Sequence, residues 1–465
     1  MRYSKLLLAL IGMLGMHMAG AVPTPEEVAQ LGITGTPLTP TGATRAGNKE
    51  GTIPEWTGGQ CKPPANYKPA SGSLEIGGGP FPDPYAADKP LFKITAENLA
   101  QYADKLDETN LELFRRFPKT YYMNVYPTRR SFCAPTWAYE NTIKRAMNPR
   151  ITGGDIPSLT GAWAQVPFPI PKTGVEEMWN SNMVYNREWH NNGYITWYVD
   201  AAGNRSLISA ANIRQRNTYW GAKGPIVETD PYIYARSETT YPASKIGGGN
   251  LLYYNTRHDL KGDPVWSYFT GQRRVRLAPE FAYDGVSPEG GGTLLYDEGA
   301  GFMGKMDRFD FKLMGKKELY ISYNNSEERY THEENATPSF PNPAAIRWEL
   351  HRVWHVVATL KPAFRHVQSK KVFYMDEDSH QISVYIGFDQ AGKPHHSNVS
   401  YAMEAYDRPA MAYVGNSVFD FSRGTYTFWS YSGTAGGFTL SNEMALKPWA
   451  MSYFTPEGLA GGGVR

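Results

Sequence analysis

Two histidines, His351 and His355, stand four residues apart in the stretch HRVWH and have the spacing of a metal-binding pair. On a helix, residues at this spacing share a face, so both rings can bind one zinc ion. On a strand they are separated by roughly 13 Å, whereas each ligand of a zinc ion lies about 2 Å from it. The backbone that carries the two residues therefore decides whether the chain has a metal site here.

The surrounding sequence, RWELHRVWHVVATLKP, favours a strand, although a helical spacing of apolar residues can also be drawn on it. It ends at Lys-Pro and runs into a second extended pattern, RHVQSKKVFYM, as in an antiparallel meander. We therefore expect that His351 and His355 share no metal. The helical alternative, in which they share one, stays open at this point.

As a strand, this stretch has one apolar face, which contains Trp348, Leu350, Trp354, Val356, Ala358 and Leu360. Arg352 is the charged residue that interrupts this face. Because an unpaired buried charge is very costly, its guanidinium must meet an anion. It either holds an anionic ligand group or pairs with an acid of a neighbouring strand.

Other chemical motifs are weak or missing in the sequence. It contains no Gly-x-Ser-x-Gly elbow, phosphate-binding loop, His-Glu-x-x-His or Cys-x-x-Cys pattern. Asp297, Asp307 and Asp310 do not follow the spacing of an EF-hand calcium loop, and the acidic run from Asp376 to Asp378 is typical of a hairpin turn. We therefore predict no catalytic residue, no metal and no cofactor. A net charge of +2 also supplies no field that would select nucleic acid.

The elements that position these residues are predicted to be mainly strands. Aromatic residues make up 14% of the chain, and 46 glycines and 34 prolines supply turns between short strands. Two segments, GYITWYVDAAGNRSLIS and KKVFYMDEDSHQISVYIGFDQAGKPHHSNVSYAM, contain extended runs separated by tight turns. This pattern predicts an antiparallel meander, which forms a sandwich or an open or closed barrel. Two helices are also expected, one beginning after Thr95 and one from about Val175 to Tyr185.

Four segments are expected along the chain: a signal peptide (residues 1–21), an irregular arm rich in glycine and proline (22–90), the main domain (91–455) and a flexible tail (456–465). The first segment has a basic start, an apolar run and a small-residue cleavage site, which is typical of export to the periplasm. An uncleaved N-terminal anchor is the alternative.

Two cysteines occur in the chain, Cys61 and Cys133, and both lie in the exported part. In an oxidising compartment such a pair is expected to form a disulfide. Two buried free thiols are the alternative.

Five long motifs allow a comparison with known families: GNKEGTIPEWTGG, GQRRVRLAPEFAYD, DRFDFKLMGKKELYISYN, RWELHRVWHVVATLKP and KKVFYMDED. The chain resembles, on these motifs, an uncharacterised family of exported proteobacterial proteins, a domain of unknown function described as outer-membrane lipoprotein-sorting-like. The resemblance covers essentially the whole mature chain. It implies a fold similar to the LolA/LolB carriers, which is a curved antiparallel sheet forming an open half-barrel plugged by helices. It also implies a role in envelope transport beside a resistance-nodulation-division type exporter and an outer-membrane partner, and it offers no catalytic residues.

An open half-barrel lined by aromatic and branched side chains would enclose an apolar cleft. We therefore expect a periplasmic carrier or binding protein, and not an enzyme, for a hydrophobic or amphiphilic ligand such as a lipid, a lipoprotein acyl chain or a sterol-like compound. The candidate ligand-binding residues are Trp348, Leu350, Arg352, Trp354 and Val356. The same face can instead be closed core, and the alternative function is then a non-catalytic adaptor between an inner-membrane exporter and the outer membrane.

Overall fold

The computed structural model describes residues 22–67, 75–76, 82–185, 188–221, 227–277, 283–287, 290–326, 332–406, 409–430, 438–441 and 450–461. The predicted signal peptide lies outside this described part, as do the last four residues of the predicted tail. Within the described part, no helix has both the length and the apolar character needed to cross a lipid bilayer.

The described residues form mainly strands, which tight turns and short helices connect. The strands are β1 (Glu75–Ile76), β2 (Phe92–Ile94), β3 (Met123–Val125), β4 (Arg150–Thr152), β5 (Ser158–Thr160), β6 (Glu188–Val199), β7 (Arg205–Asn217), β8 (Ile233–Tyr241), β9 (Gly249–Tyr254), β10 (Val265–Phe269), β11 (Arg274–Leu277), β12 (Phe309–Ser322), β13 (Trp348–Leu360), β14 (Gln368–Asp376), β15 (Ile382–Asp389), β16 (Pro394–Glu404), β17 (Met411–Asp420), β18 (Thr425–Ser430) and β19 (Phe438–Ser441). The helices are α1 (Pro25–Val28), α2 (Glu108–Arg116), α3 (Thr136–Arg145), α4 (Gly174–Asn182), α5 (Thr218–Gly221), α6 (His332–Asn335) and α7 (Pro456–Gly461).

Two antiparallel meanders make up the large sheet. Strands β6 to β11 form the first meander and strands β12 to β18 form the second, each in chain order. They join where β6 pairs with β18, with Val199 opposite Tyr426. At the other end, β11 pairs with β10 and β12 pairs with β13, and no register joins β11 to β12 in the described part. The sheet is therefore open on that side, which confirms the predicted mainly β fold with an open antiparallel sheet.

Bulges bend the strands of this sheet. In β12 the register with β13 shifts between Leu313 and Gly315, and Gly315 takes a φ of 97°, which favours glycine. Similar shifts interrupt the pairing of β6 with β7 and of β14 with β15. Because a bulge increases the local twist and bends its strand, the sheet is curved and can wrap around the helices packed on it.

Strand β13 carries both His351 and His355, so the predicted strand is confirmed and the helical alternative is wrong. It pairs along its full length with β12 on one side, and its second half pairs with β14 on the other. The signals for this strand lie close together in the sequence: alternating apolar residues, the Lys-Pro end and the acidic turn from Asp376 to Asp378. The strand could therefore be predicted from local sequence. The spacing of a strand keeps the two imidazole rings from sharing a metal ion.

Helix α4 packs on β12 and β13 and confirms the predicted helix near Val175. Its N-cap is Thr173, whose hydroxyl accepts a hydrogen bond from the backbone N–H of Glu176, while the Glu176 carboxylate accepts one from the N–H of Thr173. Met178 and Trp179 are fully buried against the sheet. The helix therefore fills the space above these strands.

The predicted helix beginning after Thr95 is wrong. Residues 99–101 and 103–105 form single 3₁₀ turns, and helix α2 begins later, with Asp107 as its N-cap. The Asp107 carboxylate accepts hydrogen bonds from the N–H groups of Thr109 and Asn110. The side chain of Asn98 instead accepts a hydrogen bond from the N–H of Thr95. Local side-chain bonding of this kind competes with helix formation.

The two ends of the described chain are held to the body. Cys61 and Cys133 form a disulfide, as predicted from the sequence. Trp56 of the N-terminal arm is buried and packs edge-on against Tyr139. Residues 456–461, expected to belong to a flexible tail, form helix α7 instead, because Leu459 is buried in a small apolar cluster with strand residues of the first meander. The boundary between arm and main domain at residues 90 and 91 stays a prediction.

Candidate ligand cleft

The five residues proposed from the sequence for ligand binding all lie on β13: Trp348, Leu350, Arg352, Trp354 and Val356. Trp348, Leu350 and Val356 are buried in the main hydrophobic core. Trp354 is half-buried, and the ammonium group of Lys316 lies 4.5 Å from the centre of its ring. The structure therefore packs these residues against protein atoms, and their role in ligand binding stays a prediction without support from a cleft at this position.

Arg352 meets an acid from a neighbouring turn, which is the second of the two alternatives considered for it. Its guanidinium donates a hydrogen bond of 3.1 Å to the Glu377 carboxylate in the turn between β14 and β15. Arg130, from the segment after β3, also binds this turn and donates two hydrogen bonds to Asp378, of 2.7 and 2.9 Å. The acidic run was correctly predicted as a turn, but its carboxylates are buried.

His351 is enclosed by this network. Its Nε2 lies 3.2 Å from the Glu349 carboxylate and its Nδ1 lies 3.4 Å from that of Asp376. Burial by itself lowers the pKa of His351, but hydrogen bonds and charge attraction from Asp376 and Glu349 outweigh it and raise the pKa to about 9. The ring is therefore protonated at neutral pH. His355 stacks on Tyr374 instead, and burial lowers its pKa.

Three of these groups could face a metal ion, because ligand atoms of His351, Asp376 and Asp378 lie within 4.8 Å of one another. The charges of the network are nevertheless matched within the protein. The acids are Asp88, Glu349, Asp376, Glu377 and Asp378, and the cations are Arg130, Lys316, Arg347, Arg352 and protonated His351. The network is best explained as a structural one that joins the arm, β12, β13 and the acidic turn.

A cleft of about 90 Å³ lies elsewhere in the protein. One wall is the first meander at β9 and β10, and the other is the chain segment that leads toward β12. We call this segment, residues 283–287 and 290–305, the strap. The lining residues are Leu252, Tyr253, Tyr254, Gly262, Asp263, Val265, Tyr283, Tyr296, Asp297, Met303, Gly304 and Lys305. Apolar and aromatic side chains thus form most of the surface.

The strand wall of the cleft follows from the register of β9 and β10. Leu252 lies opposite Val265, so the two side chains share one face, and Tyr254 projects from the same face two residues further along β9. The Tyr253 hydroxyl donates a hydrogen bond of 2.6 Å to the carbonyl of Phe454. Its position is therefore fixed by the segment before α7.

The strap wall is held at its aromatic residues. The Tyr283 hydroxyl donates a hydrogen bond of 2.6 Å to Asp307, and the guanidinium of Arg308 lies 3.3 Å from the centre of the Tyr283 ring. Met303 approaches the Tyr254 hydroxyl to 3.9 Å across the cleft. The two walls therefore touch at this pair of side chains.

Buried charges fasten the strap to the second meander. The Glu298 carboxylate accepts hydrogen bonds from Gln368 at 2.6 Å and from His396 at 2.9 Å. Burial by itself raises the pKa of Glu298, but the charge of His396, with Lys371, lowers it to about 2. For His396, burial lowers the pKa, and Glu298 with Asp420 raises it to about 9. The pair is therefore ionic at neutral pH.

Asp297 belongs to both the cleft and this anchor. It is 95% buried, and its Oδ2 accepts a hydrogen bond of 3.1 Å from His366 and another from Lys371. Asp307 and Asp310, considered with Asp297 in the sequence, have other environments: Asp307 accepts a hydrogen bond from Tyr283, and the side chain of Asp310 is 74% exposed.

Sequence reasoning missed the cleft. Its lining residues come from β9, β10 and the strap, which are far apart in the chain, and none of them forms a recognisable motif. The one available signal was the density of tyrosines around positions 253 and 254, which by itself predicts only a half-buried strand.

Comparison with known proteins gives the following similarities. The family of proteins of unknown function DUF1329 matches residues 93–460. An uncharacterized protein of Pseudomonas aeruginosa is 34% identical over 425 residues, which is 90% of this chain and 89% of the relative. Among solved structures, a DUF1329 family protein of Desulfovibrio piger is 13% identical with a TM-score of 0.41 and covers 62% of this chain and 97% of its own. A LolA superfamily protein of Nitrosomonas europaea is 8% identical with a TM-score of 0.35 and covers 61% of this chain and 97% of its own.

Proposed function

The chain belongs to the DUF1329 family, and we propose that it is a non-catalytic periplasmic protein that binds and carries a hydrophobic or amphiphilic ligand in the cleft between β9, β10 and the strap. A resistance-nodulation-division type exporter and an outer-membrane protein are the proposed partners on either side of the transfer. The ligand is a lipid, a lipoprotein acyl chain or a sterol-like compound. Export by the segment of residues 1–21 is part of the same proposal.

The single observation that supports this proposal is an aromatic and aliphatic cleft between the first meander and the strap. A concave, mainly apolar surface with a few polar groups is the usual form of a small-molecule site. Burying hydrocarbon there contributes about 0.8 kcal/mol per methylene group. At about 90 Å³ the cleft is smaller than the roughly 300–1,000 Å³ of sites that enclose a whole drug-sized molecule. It therefore takes one end of a larger ligand, whose remainder lies at the mouth.

The adaptor alternative requires a continuous exposed apolar surface. The hairpin of β10 and β11 carries two exposed apolar residues, Phe269 and Leu277. Phe269 lies opposite Arg274, and Leu277 lies opposite Trp266, three positions from Phe269 along β10. Because side chains alternate along a strand, Phe269 and Leu277 project from opposite faces of the hairpin. These two residues therefore do not form one patch on this hairpin.

A cleft-filling substitution tests the proposal. We expect Val265→Phe to weaken binding of the neutral fluorescent probe phenylnaphthylamine at least about tenfold, because the larger side chain occupies the apolar space beside Leu252. Val367→Phe is the matched control, since Val367 is 43% exposed and lies outside the cleft. Fluorescence titration of wild type and both variants, with melting curves to verify folding, measures the effect. Equal affinity in all three proteins would contradict the proposal.

A further inference from the structure

The hairpin of β10 and β11 carries unmatched positive charge beside the cleft. Arg273, Arg274 and Arg276 are all exposed, and none of them forms an ion pair within the described part of the chain. The sequence from Val265 to Leu277 contains no aspartate or glutamate that could match them. The hairpin is therefore a local excess of positive charge on a chain whose net charge is only +2.

The register of the first meander places Arg276 on the face that lines the cleft. Opposite residues of antiparallel strands share a face, and side chains alternate along each strand. Leu252 and Val265, which line the cleft, form one cross-strand row. The next row on the same face, about 7 Å further along the strands, consists of Asn250, Ser267 and Arg276. An apolar row and a polar row are thus direct neighbours on this face.

The same face ends in a third row at the turn of the hairpin. Phe269 and Arg274 lie opposite each other there, and both are exposed. The other face of the hairpin is covered, because Tyr268 and Val275 pack on the small apolar cluster that holds α7. Since the arginines of the second and third rows are exposed, the chain leaves the cleft face open at them. A ligand that begins in the cleft can continue in this direction.

The charges of the cleft lining do not oppose an anion at this border. Asp297 forms an ion pair with the buried Lys371, and Asp263 lies 3.2 Å from Nε2 of His258. Lys305 is the remaining charged residue of the lining and is positive. With Lys371 counted, the formal charges of the lining cancel. The excess charge of this region therefore belongs to the hairpin.

We propose that the ligand is an anionic amphiphile whose hydrocarbon occupies the cleft while its carboxylate or phosphate group binds Arg274 and Arg276. This inference rests on the proposed function and narrows the ligand to acids, such as fatty acids and lipids that bear a phosphate. The planar guanidinium group suits both, because its N–H groups pair with two oxygens of a carboxylate or phosphate. The rows of the two arginines lie about 7 and 13 Å from Val265 along the strands, which a chain of about eight carbons can span.

The test compares four competitors with the same octyl chain on the wild-type protein: octanol, octanoate, octyl phosphate and octylammonium. Each displaces phenylnaphthylamine at low salt. We expect at least one of the two acids to bind at least about tenfold more tightly than octanol, which corresponds to about 1.4 kcal/mol, and octylammonium to bind most weakly. The stronger acid identifies the end group as carboxylate or phosphate.

Two results would overturn this inference while leaving the proposed function intact: octanol that binds as tightly as both acids, and octylammonium that binds most tightly of all. Failure of every compound, including the neutral probe, would reject the proposed function and this inference with it.

Paired substitutions test the assignment of the two arginines. In Arg274→Gln combined with Arg276→Gln, the ratio of acid to octanol affinity is expected to fall to about one. Lys144→Gln combined with Lys393→Gln is the matched control, because it removes the same charge from exposed side chains outside the lining, and it should keep the wild-type ratio. All four positions are exposed, and melting curves verify folding. A wild-type ratio in the arginine variant, or a ratio lost equally in the control, would overturn the assignment.

Discussion

Buried histidines with raised pKa values make the stability of this protein sensitive to alkali. Burial by itself lowers the pKa of His380, but the Glu177 carboxylate raises it above the ordinary value. Two further rings lie between two carboxylates each. His351 lies between Glu349 and Asp376, and His396 lies between Glu298 and Asp420. The pKa of each of these two rings is raised from 6.5 to about 9 in the folded protein. Because the folded state holds these protons more tightly than the unfolded state, the stabilisation is complete below pH 6.5 and is lost as the pH rises through 9.

The size of the effect follows from the two pKa values. Each pKa unit corresponds to about 1.4 kcal/mol, so the step from 6.5 to about 9 stabilises the folded protein by about 3 kcal/mol per ring. Both rings are buried, so salt screens them little. The two sites share no partner and should add, which gives about 6 kcal/mol in total. Since folded proteins are stable by about 5–15 kcal/mol, this is a large fraction.

Urea unfolding followed by tryptophan fluorescence at pH 6 and pH 9.5 measures this loss. We expect a clearly lower midpoint at pH 9.5. The variant His396→Gln should be less stable at pH 6, and its free energy of unfolding should change with pH by about 3 kcal/mol less than that of the wild type. His355→Gln is the control, because the pKa of His355 is lowered rather than raised, so this ring supplies none of the stabilisation that is lost as the pH rises through 9. A wild-type free energy of unfolding that is the same at both pH values would refute the assignment of charged rings.

Three further substitutions test the fold. The variant Cys61→Ser with Cys133→Ser should lose about 4 kcal/mol of unfolding free energy, because the disulfide closes a loop between residues 72 apart; an unchanged urea midpoint would contradict this. Arg130→Met should lose about 3–5 kcal/mol by leaving buried carboxylates unpaired, whereas Arg115→Met, at a side chain 67% exposed, should change stability little in the same urea assay. Trp354→Ala should lose about 3 kcal/mol without weakening phenylnaphthylamine binding, and a weakened affinity would return the ligand site to β13.

The strands were predictable where the signal is local. On β13 to β16, alternation and turn residues follow one another within about ten residues, so the meander and the backbone of His351 could be read directly. The disulfide was predictable because two cysteines allow one pairing. The start of α2 was not, because Thr95 and Asp107 are both acceptable N-caps by type. The choice depends on which side chain bonds to which N–H group, as Asn98 shows.

The site could not be read from the sequence, because its parts meet only in the folded chain. Asp297 has no local feature that marks it as an anchor of the strap, because its partners His366 and Lys371 lie 69 and 74 residues further along the chain. The apolar face of β13 was recognised as buried, but periodicity alone does not distinguish a cleft from a core. In the structure this face is core, because helix α4 packs on β12 and β13.

The pairing of β6 with β18 bears on how the chain folds. It joins positions 199 and 426, which are 227 residues apart, whereas within each meander every strand pairs with its neighbour in sequence. Closing so long a loop is entropically expensive, and contacts of high sequence separation slow folding. Each meander can form on its own before the two meet, and during that interval β6 and β18 both expose an unpaired edge. Such edges pair readily with other chains, so refolding is most prone to aggregation after the meanders form and before they join.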